Sequence, residues 1–313
     1  MNNFQQLALV GGGRFASSNL DPSGSCEDWA QTAGLDWDIQ ESPVLFNTRE
    51  GILTSSEDKV LYRSDNLERL GVVGDGFSVV QPIEMLQFYR DVCDLQHFKM
   101  ESLGMIKGGR KMWGLARTSF ETRVLGQDKI DAFLFFVTAN DGSLSTRVSF
   151  ISRRLVCNNM LDAALRGHNN MGWQIKLKHT SKVNFDVMYD KMAKLPTHWE
   201  DFEQSANNMA MKKINQEQMI AYFVSLYGKQ AETHKEMVEK KVDQLIQLAY
   251  SSPGAELRSA RDTLWGALSA VTYYTDHACR ARSHENRFAS AMIGPGENLK
   301  ATAYQNALEL LAS

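Results

Sequence analysis

The sequence predicts an α+β protein, in which a mainly antiparallel central sheet with helices is followed by a helical C-terminal region. Three observations predict this class. Before about residue 180, apolar residues alternate in short runs separated by Gly- and Asn-containing turns, as expected for strands. Beyond residue 180 they recur at helical spacing. Residues 130–166 contain an apolar run, an Asn-Asp-Gly break, an alternating run and an Asn-led apolar segment, which predicts strand, turn, strand and helix.

We divide the chain on this basis into an N-terminal segment at 1–34, a strand-rich basic core domain at 35–180, and a helical region at 181–313 packed on that core. Strands are expected at residues 37–41, 44–47, 60–63, 98–106, 111–118, 132–137, 145–152 and 173–179, with a hairpin at 71–80. Helices are expected at residues 181–193, 199–211, 216–227, 233–250, 258–279 and 299–311. In addition, Ser25 and Asp28 predict a capping box for a short helix that ends at Gly34, and Pro82 suits the start of a helix reaching residue 95.

Composition restricts the class of protein. A chain of 313 residues with 43% hydrophobic content can bury a sizeable core. It has no apolar run near the ~20 residues of a membrane-spanning helix, and its first twenty residues lack a secretion-signal pattern, so we expect a cytoplasmic protein with no membrane partner. The four cysteines are widely spaced, which argues against a disulfide framework and against a cysteine-based zinc site.

Charge is unevenly distributed along the chain. The net charge is −3, yet residues 101–182 hold 13 Lys and Arg against 6 Asp and Glu, while residues 1–100 hold 7 against 15. The positive excess therefore lies in the strand-rich middle. Such asymmetry points to a polyanionic partner.

The candidate nucleic-acid-binding residues lie on three predicted strands and the turns beside them. They are Lys107, Arg110, Lys111, Trp113, Arg147, Arg153, Arg154, Lys176 and Lys178. The cations would neutralise phosphates, and the indole would stack on an unpaired base. The alternative is that these cations form the solvated face of an ordinary sheet and that Trp113 is part of the core.

Other chemistry has weaker support in the sequence. The glycines at 11–13 lack the strand–helix context and the Gly-Lys-Ser/Thr ending of a phosphate-binding loop. The seven histidines form no metal-binding pair; Asp276-His277 and His284-Glu285 are the nearest cluster. We therefore expect no metal and no cofactor. Nucleophile-elbow, Walker and kinase signatures are absent, which favours a non-enzymatic protein, although catalytic carboxylates need no local motif.

Long stretches of the chain resemble a known family, the phage/plasmid-like proteins that carry domain of unknown function 932. The segments that carry the resemblance are LGVVGDGFSVVQPIEML (70–86), GGRKMWGLAR (108–117), NDGSLSTRVSFISRRLVCNNML (140–161), TLWGALSAVTYYTDHACRARS (263–283) and ENRFASAMIGPGENLKATAYQNALELL (285–311). The family usually shows Gln-Asn where this chain has Gln81-Pro82. It usually shows Cys-Asn-Thr-Leu where this chain has Cys-Asn-Asn-Met, at residues 157–160. The resemblance implies a component of a phage, prophage or plasmid in a bacterial host. The predicted strands and helix are also similar in outline to phage single-strand annealing proteins, which implies rings or filaments.

Three hypotheses about function follow. The first is a non-enzymatic homo-oligomer that binds single-stranded DNA and assists annealing or recombination. The second is a protein-interaction factor that acts on host replication or defence proteins through its helical region. The third is a metal-dependent nucleic-acid hydrolase that uses carboxylates such as Asp75, Asp141 and Asp276.

Overall fold

The computed structural model describes residues 20–21, 23–157, 159–161, 174–177, 190, 192–228 and 230–313. The fold is α+β, which confirms the predicted class. The chain divides into two compact units. The first contains Met1–Thr118, Leu134–Ser149 and Gln174–Asp190, and the second contains Ser119–Phe133, Phe150–Trp173 and Lys191–Ser313.

The strands form two sheets. They are β1 (Ile39–Thr48), β2 (Gly51–Arg63), β3 (Arg69–Gly74), β4 (Lys99–Ile106), β5 (Lys111–Val124), β6 (Asp128–Ala139), β7 (Thr146–Arg154), β8 (Asn159–Leu161) and β9 (Gln174–Leu177). The smaller sheet has the order β1-β2-β3, and the larger has the order β4-β5-β6-β7-β8, with β9 paired to β7. Strands β5, β6 and β7 run from one unit into the other.

The helices lie mainly in the second unit. They are α1 (Cys26–Ala33), α2 (Pro82–Asp94), α3 (Leu195–Met211), α4 (Gln216–Ser225), α5 (Gln230–Thr233), α6 (Lys235–Ser251), α7 (Leu264–Tyr273), a π-helix (Tyr274–Ala278), α8 (His284–Ile293) and α9 (Pro295–Ala312). The capping box of Ser25 and Asp28 is present at α1, and Pro82 occupies the first turn of α2, as predicted.

An aromatic cluster organises the core of the second unit. The rings of Phe120 and Phe150 lie 5.8 Å apart, and Phe150 is 5.8 Å from Trp199. The ring of Phe202 lies 5.1 Å from that of Trp199 and 6.3 Å from that of Trp265. These tilted and edge-on geometries are the favourable ones for aromatic pairs. The cluster joins β5 and β7 to α3 and α7.

A two-stranded arm extends from the smaller sheet. Strand β3 pairs with residues 58–62 of β2, so the outer part of the β1–β2 hairpin has no third strand in the described chain. We call residues 43–57 the β1–β2 arm. Most of its residues are exposed, and a bulge interrupts its register between Pro43 and Leu45.

The sequence pattern placed several element ends wrongly. The helix expected at 258–279 begins at Leu264, because the hydroxyl of Thr263 caps it by accepting from the backbone N–H of Gly266 at 3.0 Å. The helix expected at 299–311 begins earlier, at Pro295, since Pro fits the first helical turn. The sequence analysis also missed α8.

Strand predictions failed where periodicity was ambiguous. Residues 75–80 form no second hairpin strand, and β3 pairs back onto β2. The Asn-led segment after β7 opens as strand β8, not as a helix. The helix expected at 181–193 lies largely outside the described residues. Within the described part of the chain, no helix has the length and hydropathy needed to cross a bilayer.

Gly266 provides a test of helix packing in the second unit. A Cβ added there would lie 1.9 Å from the carbonyl oxygen of Ala260, so Gly266→Ala should lower the free energy of unfolding by about 2 kcal/mol or more through overpacking. Gly76 is a matched control, because a Cβ added at that position would meet nothing within 4 Å. Urea unfolding of both variants checks this; equal stabilities would contradict the packing argument.

Candidate nucleic-acid interface

Burial divides the eight predicted binding residues that the structure describes into two groups. Lys107 and Lys176 are exposed, and Arg110 and Arg147 are half-buried. The buried residues are Lys111, Trp113, Arg153 and Arg154. Lys178 lies outside the described residues. The structure therefore does not bring the predicted set together on one accessible surface.

Lys111 is held inside the first unit by an acidic neighbour. Its ammonium lies 3.1 Å from Oδ2 of Asp141 and donates to the hydroxyl of Ser143 at 2.6 Å. Burial alone would raise the pKa of Asp141, but hydrogen bonds from Ser143 and the charge of Lys111 outweigh it and lower that pKa. Lys111 therefore neutralises a carboxylate of its own chain and is not available to a phosphate.

The other buried residues also serve the interior. Trp113 is 2% exposed, so its ring offers no stacking surface. The guanidinium of Arg153 lies 4.2 Å over the ring of Phe133, and that of Arg154 bonds to Asp128. Strand alternation carries no information about which faces of a strand the helices later cover.

The four accessible cations lie at one end of the larger sheet, in the first unit. Lys107 and Arg110 lie in the turn between β4 and β5. The backbone N–H and side-chain amide of Asn140, just after β6, donate to the carbonyls of Arg110 and Gly109 at 2.8 and 2.9 Å. This places the end of β6 beside that turn. Strand β7 begins and β9 ends at the same end, where Thr146 pairs with Leu177.

Arg147 and Lys176 are direct cross-strand partners on β7 and β9. Side chains of such partners share a face, so two cations lie side by side there. One acid lies near the turn, since the carboxylate of Glu68 packs against Gly108. We name Lys107, Arg110, Arg147 and Lys176 the cationic sheet end.

A buried acid organises the second unit, and the sequence analysis missed it. The carboxylate of Asp128 accepts from Arg154 at 2.7 and 2.8 Å, from the hydroxyl of Ser259 at 3.0 Å and from the indole of Trp265 at 3.0 Å. Arg154 also donates to the carbonyl of Gly254 at 3.0 Å. Burial opposes the charge on Arg154, but the hydrogen bond to Asp128 outweighs it and raises the guanidinium pKa.

A second buried ion pair lies beside the π-helix. The ammonium of Lys300, which is 1% exposed, donates to Asp276 at 2.8 Å and to the carbonyl of Met160 at 2.6 Å. Asp276 in turn accepts from the backbone N–H of Met160 at 2.7 Å. The network fixes β8 to the π-helix and α9. Single π turns within helices are frequent at functional sites, yet here all the named groups satisfy one another.

Two atoms near this network have no hydrogen-bond partner among the described residues. They are Nε2 of His277 and Oδ1 of Asn159. The amide of Asn159 donates to Ser269 and Thr272 at 3.1 and 2.9 Å. Burial lowers the pKa of His277; Asp276 opposes the shift, while Lys300 and Arg287 add to it. His277 is therefore stable as the neutral imidazole.

The carboxylates proposed for hydrolysis do not assemble into a site. Asp141 and Asp276 are each engaged by a lysine, as described above, and Asp75 is exposed in a turn. Across the part of the chain that the structure describes, no three His, Cys, Asp or Glu residues are placed to hold a metal ion.

Two grooves lie on the described surface of the second unit. One, of about 280 Å³, lies between α4 and α6 and is lined by Ile220, Val224, Val238 and Val242. The other, of about 500 Å³, includes Tyr222 and Leu310. The apolar residues Leu264, Trp265 and Leu268 of α7 are buried in the core.

Asp128→Asn tests the central ion pair of the second unit. The substitution keeps the shape but leaves the charge of Arg154 buried and uncompensated, so the free energy of unfolding should fall by about 3 kcal/mol or more. Glu101→Gln is the matched control, because it breaks the more exposed pair with Arg117 and should cost no more than about 1 kcal/mol. Denaturant titration measures both; similar losses would refute the assigned role of Asp128.

His277 should make stability depend on pH. Its folded pKa is lowered from the ordinary value of 6.5, so below pH 6.5 the unfolded chain binds more protons than the folded chain. Stability should therefore fall as the pH is lowered through this range, and His277→Gln should reduce the slope. Urea midpoints between neutral and mildly acidic pH measure it. An unaltered slope in His277→Gln would overturn the prediction.

Comparison with known proteins identifies the family. The family model described as Domain of unknown function (DUF932) matches residues 69–292, which is more than half of the chain. Neither the curated proteins nor the solved structures gave a match. The matched range begins at β3 and includes the larger sheet, the buried ion-pair residue Asp128 and the π-helix. The chain therefore belongs to the family defined by domain of unknown function 932.

Proposed function

We propose that the protein binds the sugar–phosphate backbone of single-stranded nucleic acid at the cationic sheet end. The observation that carries this proposal is the convergence of Lys107, Arg110, Arg147 and Lys176 on one end of the larger sheet. Cations placed together on a surface recognise phosphates by charge, without reading the sequence of bases.

The dimensions of the sheet suit an extended strand. Neighbouring strands lie about 4.8 Å apart, so the three steps from β5 to β9 span about 14 Å. The cross-strand pair of Arg147 and Lys176 places two cations next to each other on one face of the sheet. The turn residues Lys107 and Arg110 extend the same line.

Contacts of this kind leave the bases free. Because Trp113 is buried, we assign no stacking contact, and the binding free energy comes from charge alone. A strand held by its phosphates exposes its bases for pairing, which supports a role in strand annealing. Such a role requires no catalytic residue and no cofactor.

The double variant Arg147→Ala/Lys176→Ala tests the proposal. Removing two phosphate contacts should weaken binding to labelled oligothymidylate and reduce the slope of log affinity against log salt by about 1.4, since each single-strand contact contributes about 0.7. Fluorescence anisotropy at several salt concentrations measures both quantities.

Matched controls use the same sheet. Lys99 and Arg117 are also cross-strand partners, at the other end of the β4–β5 pair, so Lys99→Ala/Arg117→Ala makes the same charge change and should retain wild-type affinity. Glu68→Gln removes the acid next to the turn and should tighten binding. Absence of salt-sensitive binding in the wild type, or equal losses in the two double variants, would refute the proposal.

A further inference from the structure

The β1–β2 arm exposes apolar side chains on both of its faces. Leu45 and Ile52 are 62% and 68% exposed, and Phe46 and Leu53 are 47% and 52% exposed. Phe46 pairs with Leu53 and therefore shares a face with it. Leu45 pairs with Thr54 and Ile52 with Asn47, on the opposite face. An isolated two-stranded hairpin is at best marginally stable in water, so this arm gains most from a partner.

The charges of the arm and of the two residues on either side of it restrict that partner. Residues 41–59 contain Glu41, Glu50, Glu57 and Asp58 against Arg49 and Lys59. A net negative ribbon is unfavourable for nucleic acid or for an anionic lipid surface. The partner must also satisfy the open backbone edge of β1, which has no neighbouring strand in the described chain. A strand from another protein chain meets both requirements.

We propose that a second copy of this chain covers the arm, by antiparallel pairing of the two β1 strands about a two-fold axis at Leu45. In this register Leu45 meets its counterpart, and Val44 of each copy meets Phe46 of the other. The central positions are therefore apolar throughout. Further out, Arg49, in the turn that directly follows β1, comes next to Glu41 of the other copy, so two complementary charge pairs close the ends.

Other registers and edges fit less well. A shift of the axis to Phe46 sets Leu45 against Asn47 and Val44 against Thr48, which pairs apolar with polar side chains. Self-pairing of the open β2 edge about Thr54 sets Ile52 against Ser56 and Leu53 against Ser55, which again pairs apolar with polar side chains. Pro43 faces Asn47 of the other copy in the proposed register, and the irregularity beside it adds residues 55–58 to β2, so β1 continues without an inserted residue.

Sedimentation velocity on the full chain, without nucleic acid, tests this pairing. The wild type should shift from monomer to dimer as protein concentration rises, by mass action. Arg49→Glu places two acids next to each other at each end, and Glu41→Arg places two cations there. Each variant alone should self-associate at least about tenfold more weakly than the wild type. An equimolar mixture of the two variants restores both charge pairs and should dimerise like the wild type.

A control separates this effect from the ion pair within the chain. Glu41 lies 3.0 Å from Lys59, and Lys59→Gln breaks that contact without altering the charges that meet between copies, so it should still dimerise. Leu45→Ser should abolish association by removing the central apolar contact. A wild type that stays monomeric, single variants that associate normally, or a mixture that fails to recover would each overturn the proposal. The result is independent of nucleic-acid binding, which is measured separately.

Discussion

The carboxylate of Asp128 is the interaction on which the second unit depends. It is buried, and an ionised carboxylate removed from water requires full compensation. Arg154 on β7, Ser259 before α7 and Trp265 within α7 all donate to it, and Arg154 also reaches Gly254. The strands and the start of α7 must therefore adopt one relative placement, because any other leaves a buried charge without partners.

The same principle explains the π-helix. Lys300 on α9 and Asp276 form a pair that also holds both backbone groups of Met160. Each residue of an α-helix advances about 100° around the axis. Without the residue that the π turn adds, Asp276 would therefore be rotated by a large part of a turn. The π turn is compatible with a carboxylate that faces β8. Both ion pairs thus convert costly buried charge into specificity of packing.

In the first unit, two charged features lie at the surface. The cationic sheet end and the β1–β2 arm both lie there, on accessible strands and turns. Their proposed partners differ in sign and chemistry: phosphates for the cations, and a second chain for the acidic, apolar arm. Self-association through the arm would multiply the number of cationic sheet ends, which would strengthen attachment to a long polyanion.

The sequence by itself determined the α+β class, the positions of most strands in the larger sheet and the helical character of the C-terminal region, because alternation and helical periodicity are local properties. It also located the excess of positive charge. Only the tertiary structure decided which cations are buried: Lys111 and Arg154 are enclosed beside Asp141 and Asp128, which come from distant segments. Burial and ion pairing depend on which segments pack together, and no local pattern encodes that.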